Sequence, residues 1–226
     1  AGDQILNVEN LGAEADGKTL FSGIDINLAK NDKVVVYSKD ARAATAFYEI
    51  LNGNQQPTAG SFKWGVTTNQ SYLPLDNAMY FDTEDSLVDW LRQYAKTDEE
   101  REAVFLRGFL GKMLFSGDEA LKSAKVLSGG EKVRCMLSRM MMVRANVLML
   151  DEPTNHLDLE SITAFNNSLI KFKGTVLLTT HDHAFAQSVG NRVVELTPKG
   201  VIDRYMTFDE YMLDSKIKEL REKMYA

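Results

Sequence analysis

Residues 33–53, KVVVYSKDARAATAFYEILNG, decide how the chain folds. The apolar run of residues 33–37 is typical of a buried strand, because both faces of such a strand are covered in a parallel sheet. A tight turn follows, and then a helix predicted from about Ala43 to Leu51, with Gly53 as its stop signal. This order of strand, turn and helix is the layout of a phosphate-binding loop, in which backbone N–H groups at the helix N-terminus hold the phosphates.

The loop departs from the phosphate-loop pattern G-x-x-x-x-G-K-[S/T]. The four defining positions are occupied by Ser38, Ala43, Ala44 and Thr45. Both glycines are replaced, although glycine is what permits positive φ angles and a close approach of the backbone to phosphate. Alanine stands in place of the lysine, and Lys39 and Arg42 offer positive charge only from other positions. The hydroxyl of Thr45 remains, and a hydroxyl at this position faces Mg²⁺ in such loops.

The composition bounds the class of protein. The chain has 226 residues, of which 44% are hydrophobic and 26% charged, which is enough for a globular domain with its own core. The net charge of −6 argues against a chain that binds nucleic acid alone, because phosphate contacts need clustered lysine and arginine. The single cysteine, Cys135, excludes a disulfide framework. With no signal peptide and no apolar run of roughly 18 residues, we expect a soluble, cytoplasmic domain.

Alternating strand and helix patterns predict an α/β fold with a largely parallel sheet and crossover helices. Strands are predicted at residues 4–9, 20–28, 33–37 and 147–150 and in TVLLTTHD, with further short strands within 61–73. Helices are predicted at residues 43–51, 130–143, 159–172 and about 208–225. Between about residues 76 and 125 the pattern is helical without strands, which predicts a helical subdomain inserted in a single domain of residues 1–226.

Two acidic residues follow the apolar run VLML. Asp151 and Glu152 come at the carboxyl end of this predicted strand, where ligands bind in open α/β sheets. A carboxylate there can hold hydrated Mg²⁺ on a phosphate chain, and the neighbouring glutamate can polarise an attacking water. A strand that simply ends in a solvated acidic turn is the structural alternative for this pair.

Two further motifs point to phosphate chemistry. LSGGEK places Ser128, Gly129 and Gly130 at the start of a helix, where free N–H groups and the positive end of the helix dipole form an anion site. A plain helix cap at Ser128 is the alternative. His181 ends the apolar run of TVLLTTHD, and a neutral imidazole there can hydrogen-bond a γ-phosphate or an attacking water. The order and spacing of the three motifs favour the functional interpretation of each.

Together these motifs resemble those of the ATP-binding cassette (ABC) ATPases. LSGGE, which ends at Glu131, is similar to their signature motif, and VLMLDE is similar to their Walker B strand. Residues 155–158, which end at Asp158, are similar to the D-loop, and His181 is similar to the switch histidine. DEPTNHLDLES resembles the ABC-F branch, whose members carry two cassettes on one chain without a transmembrane domain. Many of them act on the ribosome, and this chain resembles their second cassette.

The resemblance implies the ABC ATPase fold, with a small antiparallel β part beside the parallel sheet, and roles for individual residues. Glu152 and His181 are the implied catalytic residues, and Thr45 and Asp151 the implied metal-binding pair. The implied nucleotide contacts are Ser38, Ala43, Ala44, Thr45, Ser128, Gly129, Gly130, Glu131 and Asp158. The implied ligands are ATP and Mg²⁺. The implied partners are a second cassette, on the same chain or in a homodimer, and the ribosome with its tRNA; no membrane is implied.

The same resemblance predicts that this chain's own loop binds ATP weakly. The family places an adenine-stacking aromatic residue where Ala15 stands, and a glutamine where Leu75 stands. A charge-assisted phosphate contact contributes about 1.5–3 kcal/mol and a base stack about 1–3 kcal/mol, so losing both weakens binding by roughly two to four decades. Because cassettes of this family pair head to tail, the intact signature can still complete the ATP site of the partner.

Two alternatives stay open. In the first, the chain is a non-catalytic scaffold whose conformation reports the ATP state of its partner. In the second, it is the ATPase subunit of a membrane transporter. TNHLD and the short helical insertion argue against the transporter. Unchanged hydrolysis by the full protein after Glu152→Gln would favour the scaffold.

Overall fold

The computed structural model describes residues 4–226. In this part of the chain the β-strands are β1 (Gln4–Ala15), β2 (Lys18–Ala29), β3 (Lys33–Tyr37), β4 (Ala59–Trp64), β5 (Gln70–Leu73), β6 (Val147–Asp151), β7 (Thr175–Thr179), β8 (Arg192–Thr197) and β9 (Gly200–Arg204). The α-helices are α1 (Ala41–Leu51), α2 (Leu87–Arg92), α3 (Ala103–Lys112), α4 (Gly129–Met142), α5 (Leu159–Lys171), α6 (His183–Val189), α7 (Phe208–Leu213) and α8 (Ser215–Tyr225). Short 3₁₀ turns lie at Ala78–Phe81, Gly117–Leu121 and Ala124–Val126.

The strands form two sheets. The larger has the order β5-β6-β7-β3-β8-β9, in which β6, β7, β3 and β8 run parallel and β9 is antiparallel to β8. Strands β6 and β8 are buried along their whole length, as expected where both faces of a parallel sheet are covered. The smaller sheet is antiparallel, with the order β2-β1-β4. The predicted α/β fold, with a mostly parallel sheet and a small antiparallel part, is confirmed.

The chain divides into two compact units. The first unit consists of residues 4–72, Asn146–Glu152 and Lys173–Ala226. It carries the strands of both sheets, except for Leu73, the last residue of β5. The second unit consists of Leu73–Ala145 and Pro153–Phe172, and its regular elements are mainly helical. Across the described residues 4–226, no helix has both the length and the apolar character needed to cross a bilayer.

One hydrophobic core in the first unit joins α1 to the strands. Its largest fully buried side chains include Phe21 of β2 and Phe47 and Tyr48 of α1. The rings of Phe21 and Phe47 meet edge to face, with centroids 6.1 Å apart. Full burial of one such side chain contributes about 1.5–3 kcal/mol. Ala43 and Ala44 are buried in the same core, so the first turns of α1 are fixed by packing.

The second unit has its own apolar interior. Trp90 of α2 is fully buried, stacks on Phe81 with ring centroids 4.8 Å apart, and donates its indole N–H to the Tyr80 carbonyl at 2.7 Å. Leu106 and Leu110 of α3 are also fully buried. Between residues 76 and 125 the regular elements are α2, α3 and the 3₁₀ turns, and the insertion of this segment as a separate subdomain stays a prediction.

Helix α1 begins at Ala41, earlier than the predicted start at Ala43. The residues of its first turn, 41–44, read Ala-Arg-Ala-Ala, and alanine and arginine are among the strongest helix formers. The side chain of Asp40 caps the helix by accepting the N–H of Arg42. The phosphate-loop pattern therefore misplaces the helix start, because the residues that would interrupt the helix are absent.

The C-terminal segment is broken where one helix is predicted. Residues 208–225 form α7 and α8, which meet at Asp214. Asp214 has extended backbone angles, and its side chain accepts the N–H of Ile217 at 2.9 Å. A capping residue thus starts a second helix inside a continuous amphipathic pattern. The structure also contains α6, β8 and β9, for which no prediction is made from the sequence.

Candidate functional site

The carboxyl end of β6 meets the first turns of α1 in the first unit. The Thr45 hydroxyl donates to Asp151 Oδ2 at 2.6 Å. Burial raises the pKa of Asp151 above its ordinary value, and the hydrogen bond from Thr45 opposes this shift. The two residues predicted to bind a metal are therefore brought together, with one hydroxyl and one carboxylate as possible oxygen ligands.

Glu152 and His181 are also brought together. The His181 Nε2 atom lies 3.0 Å from Glu152 Oε1. Glu152 has a φ of 53°, a left-handed conformation that is uncommon for glutamate, and its N–H donates to the Thr179 carbonyl at 2.9 Å. The two predicted catalytic residues therefore form one contact at the edge of the sheet.

The second oxygen of Glu152 has no partner. Oε2 is buried and makes no hydrogen bond within residues 4–226. Burial raises the pKa of Glu152, while the neighbouring His181 lowers it. A buried carboxylate oxygen without a donor is costly, and such groups cluster at functional sites. Chemically, this oxygen can accept a hydrogen bond or a proton from a water molecule beside it.

Tyr48 supports this end of the sheet, and sequence reasoning missed it. Its hydroxyl lies 2.6 Å from the Thr179 hydroxyl. Burial, together with the charges of Asp151 and Glu152, raises the pKa of Tyr48 well above its ordinary value, so the hydroxyl keeps its proton. One signal was available: Tyr48 lies three positions after Thr45, on the same face of the helix.

Residues 38–45 lie where a phosphate-binding loop is predicted, but their backbone does not form a cradle of N–H groups around a ligand. Asp40 caps α1, and its Oδ1 accepts the N–H of Arg42 at 3.0 Å. The N–H of Ala43 donates to the Asp40 carbonyl at 3.0 Å. No residue between positions 38 and 45 of the described chain has a positive φ, so the backbone winds into a helix directly.

The start of this loop is held by the C-terminal helix. The N–H of Lys39 donates to the Tyr225 hydroxyl at 3.1 Å, and the Lys39 ammonium lies 4.5 Å from the centre of the Tyr225 ring. The Ser38 hydroxyl accepts the N–H of Asp40 at 3.4 Å, a long hydrogen bond. Ser38, Ala43 and Ala44 therefore contact neighbouring parts of their own unit.

The signature residues lie at the N-terminus of α4 in the second unit. Ser128 and Glu131 form a capping box: the Ser128 hydroxyl accepts the Glu131 N–H, and Glu131 Oε1 accepts the Ser128 N–H, both at 3.2 Å. Lys122 binds the other oxygen of Glu131 at 2.7 Å. Gly129 and Gly130 form the first turn, whose N–H groups have no intrahelical acceptor. The plain cap at Ser128 is therefore present, and the anion site in the same turn stays a prediction.

The D-loop packs on the signature helix within the second unit. A side chain at Gly130 would place its Cβ 2.4 Å from the His156 carbonyl oxygen, and one at Gly129 would meet the His156 ring at 3.5 Å. Glycine at position 130 is therefore required by this close approach. Asp158 caps α5 by accepting the N–H of Ser161 at 2.8 Å, and that hydrogen bond lowers the pKa of Asp158.

Ala15 and Leu75 occupy the positions predicted to have lost nucleotide contacts. In the first unit, Ala15 is half-buried at the end of β1, where it pairs with Lys18. In the second unit, Leu75 is exposed. Neither side chain has an aromatic ring or an amide, so neither can stack on a base or ligate a metal through a carbonyl.

The residues present differ in how well they fit the two ligands implied by the fold, Mg²⁺ and a triphosphate. Thr45 and Asp151 fit the Mg²⁺ side of a nucleotide, since Mg²⁺ is usually held by one or two protein oxygens together with phosphates. Within residues 4–226, no group of three or more His, Cys, Asp or Glu side chains could hold a metal ion alone. Residues 38–44 do not fit a triphosphate, because Asp40 places a carboxylate at the helix N-terminus and the backbone lacks a cradle.

Comparison with known proteins agrees with the fold. The model of the family described as "ABC transporter" matches residues 44–155. The "Uncharacterized ABC transporter ATP-binding protein YkpA" of Bacillus subtilis is 49% identical over 100% of this chain and 42% of its own length. The "Probable ATP-binding protein YbiT" of Escherichia coli O157:H7 is 35% identical over 94% of this chain and 40% of its own length. This chain therefore spans less than half the length of these relatives.

A third relative and a solved structure complete the comparison. The "ABC transporter F family member 5" of Arabidopsis thaliana is 26% identical over 99% of this chain and 32% of its own length. The chain described as "Structure of ATP binding subunit of ABC transporter" matches with a TM-score of 0.79 at 18% identity, over 97% of this chain and 99% of that chain, which shows the fold. ABC ATPase domains in general bind ATP with Mg²⁺. The chain is an ABC ATPase nucleotide-binding domain, related to proteins of the ABC-F type.

Proposed function

We propose that the chain is one cassette of a two-cassette ATPase of the ABC-F type, and that it completes the ATP site of the other cassette. ATP binding and hydrolysis at that site drive a conformational change of the full protein on the ribosome. The proposal is supported by relatives of which this chain spans only 42% and 40%, a length that leaves room for a second cassette. It places this chain as the second cassette.

The observation that supports the proposal best is the contrast between two helix N-termini. The first turn of α4 has a neutral cap, Ser128, and two glycines without side chains, and its one carboxylate, Glu131, is paired with Lys122. The first turn of α1 has a charged cap, Asp40, and a buried alanine where the phosphate-binding lysine is expected. A helix N-terminus attracts anions, and a carboxylate at the cap position itself opposes this attraction most directly. We propose that the signature helix binds the partner's nucleotide, whereas this chain's own loop binds ATP weakly.

The catalytic end of this chain's own site keeps its geometry. Thr45 contacts Asp151, and Glu152 contacts His181. In the proposal these pairs serve Mg²⁺ binding and the activation of water only when a nucleotide is bound at this loop. Asp40 at the helix N-terminus favours a second candidate, the non-catalytic scaffold whose conformation reports the ATP state of the partner.

A charge at the signature tests the proposed function. Ser128→Asp keeps a residue that caps helices well and adds a negative charge where the partner's phosphate is expected. Ser128→Asn is the matched control, because it also caps the helix but is neutral. We expect Ser128→Asp to lower the ATPase rate of the two-cassette protein by roughly 100-fold, and Ser128→Asn to lower it much less, since removal of one hydrogen-bond donor at such a site costs about 10²–10³. Equal rates for both variants would contradict the proposal.

Two measurements separate the cassette from the scaffold. Calorimetry of the 226-residue chain with ATP and Mg²⁺ measures its own loop directly, and we expect weak binding, in the millimolar range. Glu152→Gln in the two-cassette protein then asks whether this site hydrolyses ATP. A reduced hydrolysis rate assigns catalysis to this cassette, and an unchanged rate favours the scaffold.

A further inference from the structure

We infer that Asp40 is the residue that excludes polyphosphate from the N-terminus of α1, because its carboxylate takes the position of the anion. The inference deepens the proposed function, since it treats residues 38–45 as the phosphate loop of an ABC ATPase domain. It adds a cause: an internal anion held in place, and not only a missing lysine, makes the loop reject nucleotide.

The carboxylate of Asp40 is held at the helix by two cations, Arg42 and Lys18. Arg42 donates its Nε to Asp40 Oδ1 at 3.1 Å and its terminal nitrogen to Oδ2 at 2.9 Å, a two-pronged contact. The other terminal nitrogen reaches Asp16 at 3.3 Å. Lys18 lies 3.9 Å from Asp40 Oδ2. Paired guanidinium and carboxylate groups of this geometry are among the stronger hydrogen-bonded contacts in proteins.

The contact with Arg42 keeps Asp40 charged. Its hydrogen bond lowers the pKa of Asp40, so the carboxylate is ionised throughout the neutral range. A triphosphate approaching the start of α1 therefore meets a fixed negative charge. The nearby cations already have contacts within the chain: Arg42 pairs with Asp16 and Asp40, Lys18 lies beside Asp40, and Lys39 lies over the Tyr225 ring.

Three backbone donors of the loop are also taken. The N–H of Lys39 donates to the Tyr225 hydroxyl, that of Arg42 to the Asp40 carboxylate, and that of Ala43 to the Asp40 carbonyl. In a phosphate cradle, consecutive N–H groups converge on the ligand instead. Polyphosphate could bind only after Asp40 left the helix terminus, which would uncap α1.

This arrangement explains why a restored lysine should not suffice. Ala44 is 1% exposed and packs in the core, so a lysine there has to leave the apolar contacts before it can reach a ligand. Asp40 would remain at the helix N-terminus and would attract that lysine itself. We therefore expect the neutralisation of Asp40, and not Ala44→Lys, to be the change that admits an anion.

Neutralising Asp40 tests the inference. Asp40→Asn keeps a good helix cap and removes the charge, and it releases Arg42. Asp214→Asn is the matched control, because Asp214 is also the capping carboxylate of a helix in the first unit. Binding of ATP with Mg²⁺ and of inorganic tripolyphosphate is measured by calorimetry on the 226-residue chain. We expect Asp40→Asn to bind tripolyphosphate roughly tenfold or more tighter than the wild type, as for the removal of one like charge near a ligand, and Asp214→Asn to match the wild type.

The outcomes separate the inference from the proposed function. Unchanged affinity in Asp40→Asn, with a circular dichroism spectrum like that of the wild type, overturns the role of Asp40 while the loop can still be weak. Tight ATP binding by the wild type contradicts the proposed function. Asp40→Ser supplies a second neutral cap if the asparagine variant does not fold, and the same tenfold gain is expected. A gain that persists in Asp40→Asn/Arg42→Gln shows that the lost charge of Asp40 is sufficient by itself, without the released guanidinium.

Discussion

Tyr225→Phe should loosen both the C-terminal helix and the start of the phosphate loop. The Tyr225 hydroxyl donates to Glu195 Oε2 at 2.6 Å and accepts the Lys39 N–H at 3.1 Å. Glu195 of β8 is fully buried; it also accepts a hydrogen bond from Tyr211 at 2.6 Å and forms an ion pair with Arg221 at 2.7 Å. One buried carboxylate thus ties α7, α8 and the loop to the parallel sheet.

The structure sets the size of the effect. A hydrogen bond to a charged group contributes about 1.5–3 kcal/mol, and an ordinary one about 0.5–1.5 kcal/mol. Phenylalanine keeps the ring beneath the Lys39 ammonium, and Tyr211 and Arg221 still neutralise Glu195. Because Tyr225 is partly exposed, water replaces some of the loss. We therefore expect Tyr225→Phe to lower the free energy of unfolding of the first unit by about 1–2 kcal/mol.

Urea unfolding and hydrogen exchange measure the two consequences. Unfolding reports the loss of stability, and exchange at the Lys39 amide reports the loop, which should lose its protection. Tyr37→Phe is the matched control: its ring lies 5.3 Å from Arg221, but its hydroxyl makes no hydrogen bond in the described part of the chain. We expect it to change stability by less than about 0.5 kcal/mol. Equal effects of Tyr225→Phe and Tyr37→Phe, with an unchanged Lys39 amide, would refute the link between the helix and the loop.

Three further changes have defined outcomes. Gly130→Ala places a Cβ 2.4 Å from the His156 carbonyl oxygen, so it should lower the stability of the second unit by about 1–3 kcal/mol, measured by thermal unfolding. The Arg192 side chain is 4% exposed and forms ion pairs with Asp32 and Asp203. Arg192→Leu removes the cation from both pairs, so it should lower the free energy of unfolding in urea by about 3–5 kcal/mol. Glu152→Gln should stabilise the chain by about 0.5–1.5 kcal/mol at neutral pH, because burial raises the folded-state pKa of Glu152 above its unfolded value and one of its oxygens lacks a donor. The wild type binds more protons when folded, so this gain should vanish as the pH falls through the raised pKa; a gain that persists at acidic pH would contradict the assignment.

Much of the sheet could be predicted from the sequence, because buried parallel strands are short apolar runs. VLML and TVLL follow this pattern and form β6 and β7. Asp151 and Glu152 could be predicted as a pair at a strand end, because they directly follow the apolar run VLML in the sequence. Their partners Thr45 and His181 come from other segments, and only the resemblance to a known family brought them into one hypothesis.

The contacts of Glu195 and Tyr225 could not be predicted from the sequence. The two residues lie in different elements, and each satisfies the local pattern of its own strand or helix without the other. The role of Asp40 left a signal that the phosphate-loop pattern obscured. Aspartate directly before Ala-Arg-Ala-Ala is a helix-cap signal, and it predicts a helix start at Ala41. The predicted start at Ala43 follows the phosphate-loop pattern and not this local rule, and it is wrong.

The chemistry of helix caps supplies a physical reason for asymmetry within one cassette. In the first unit, α6 and α8 are capped by Asp182 and Asp214, and α1 is capped in the same way by Asp40. Aspartate at these ends stabilises the helix dipole and satisfies N–H groups, so α1 is capped like a structural helix. The signature helix α4 has the neutral cap Ser128 instead, and the carboxylate in its first turn, Glu131, is paired with Lys122. A single substitution, serine or asparagine for Asp40, should therefore move α1 from the first kind of helix terminus toward the second without changing the fold.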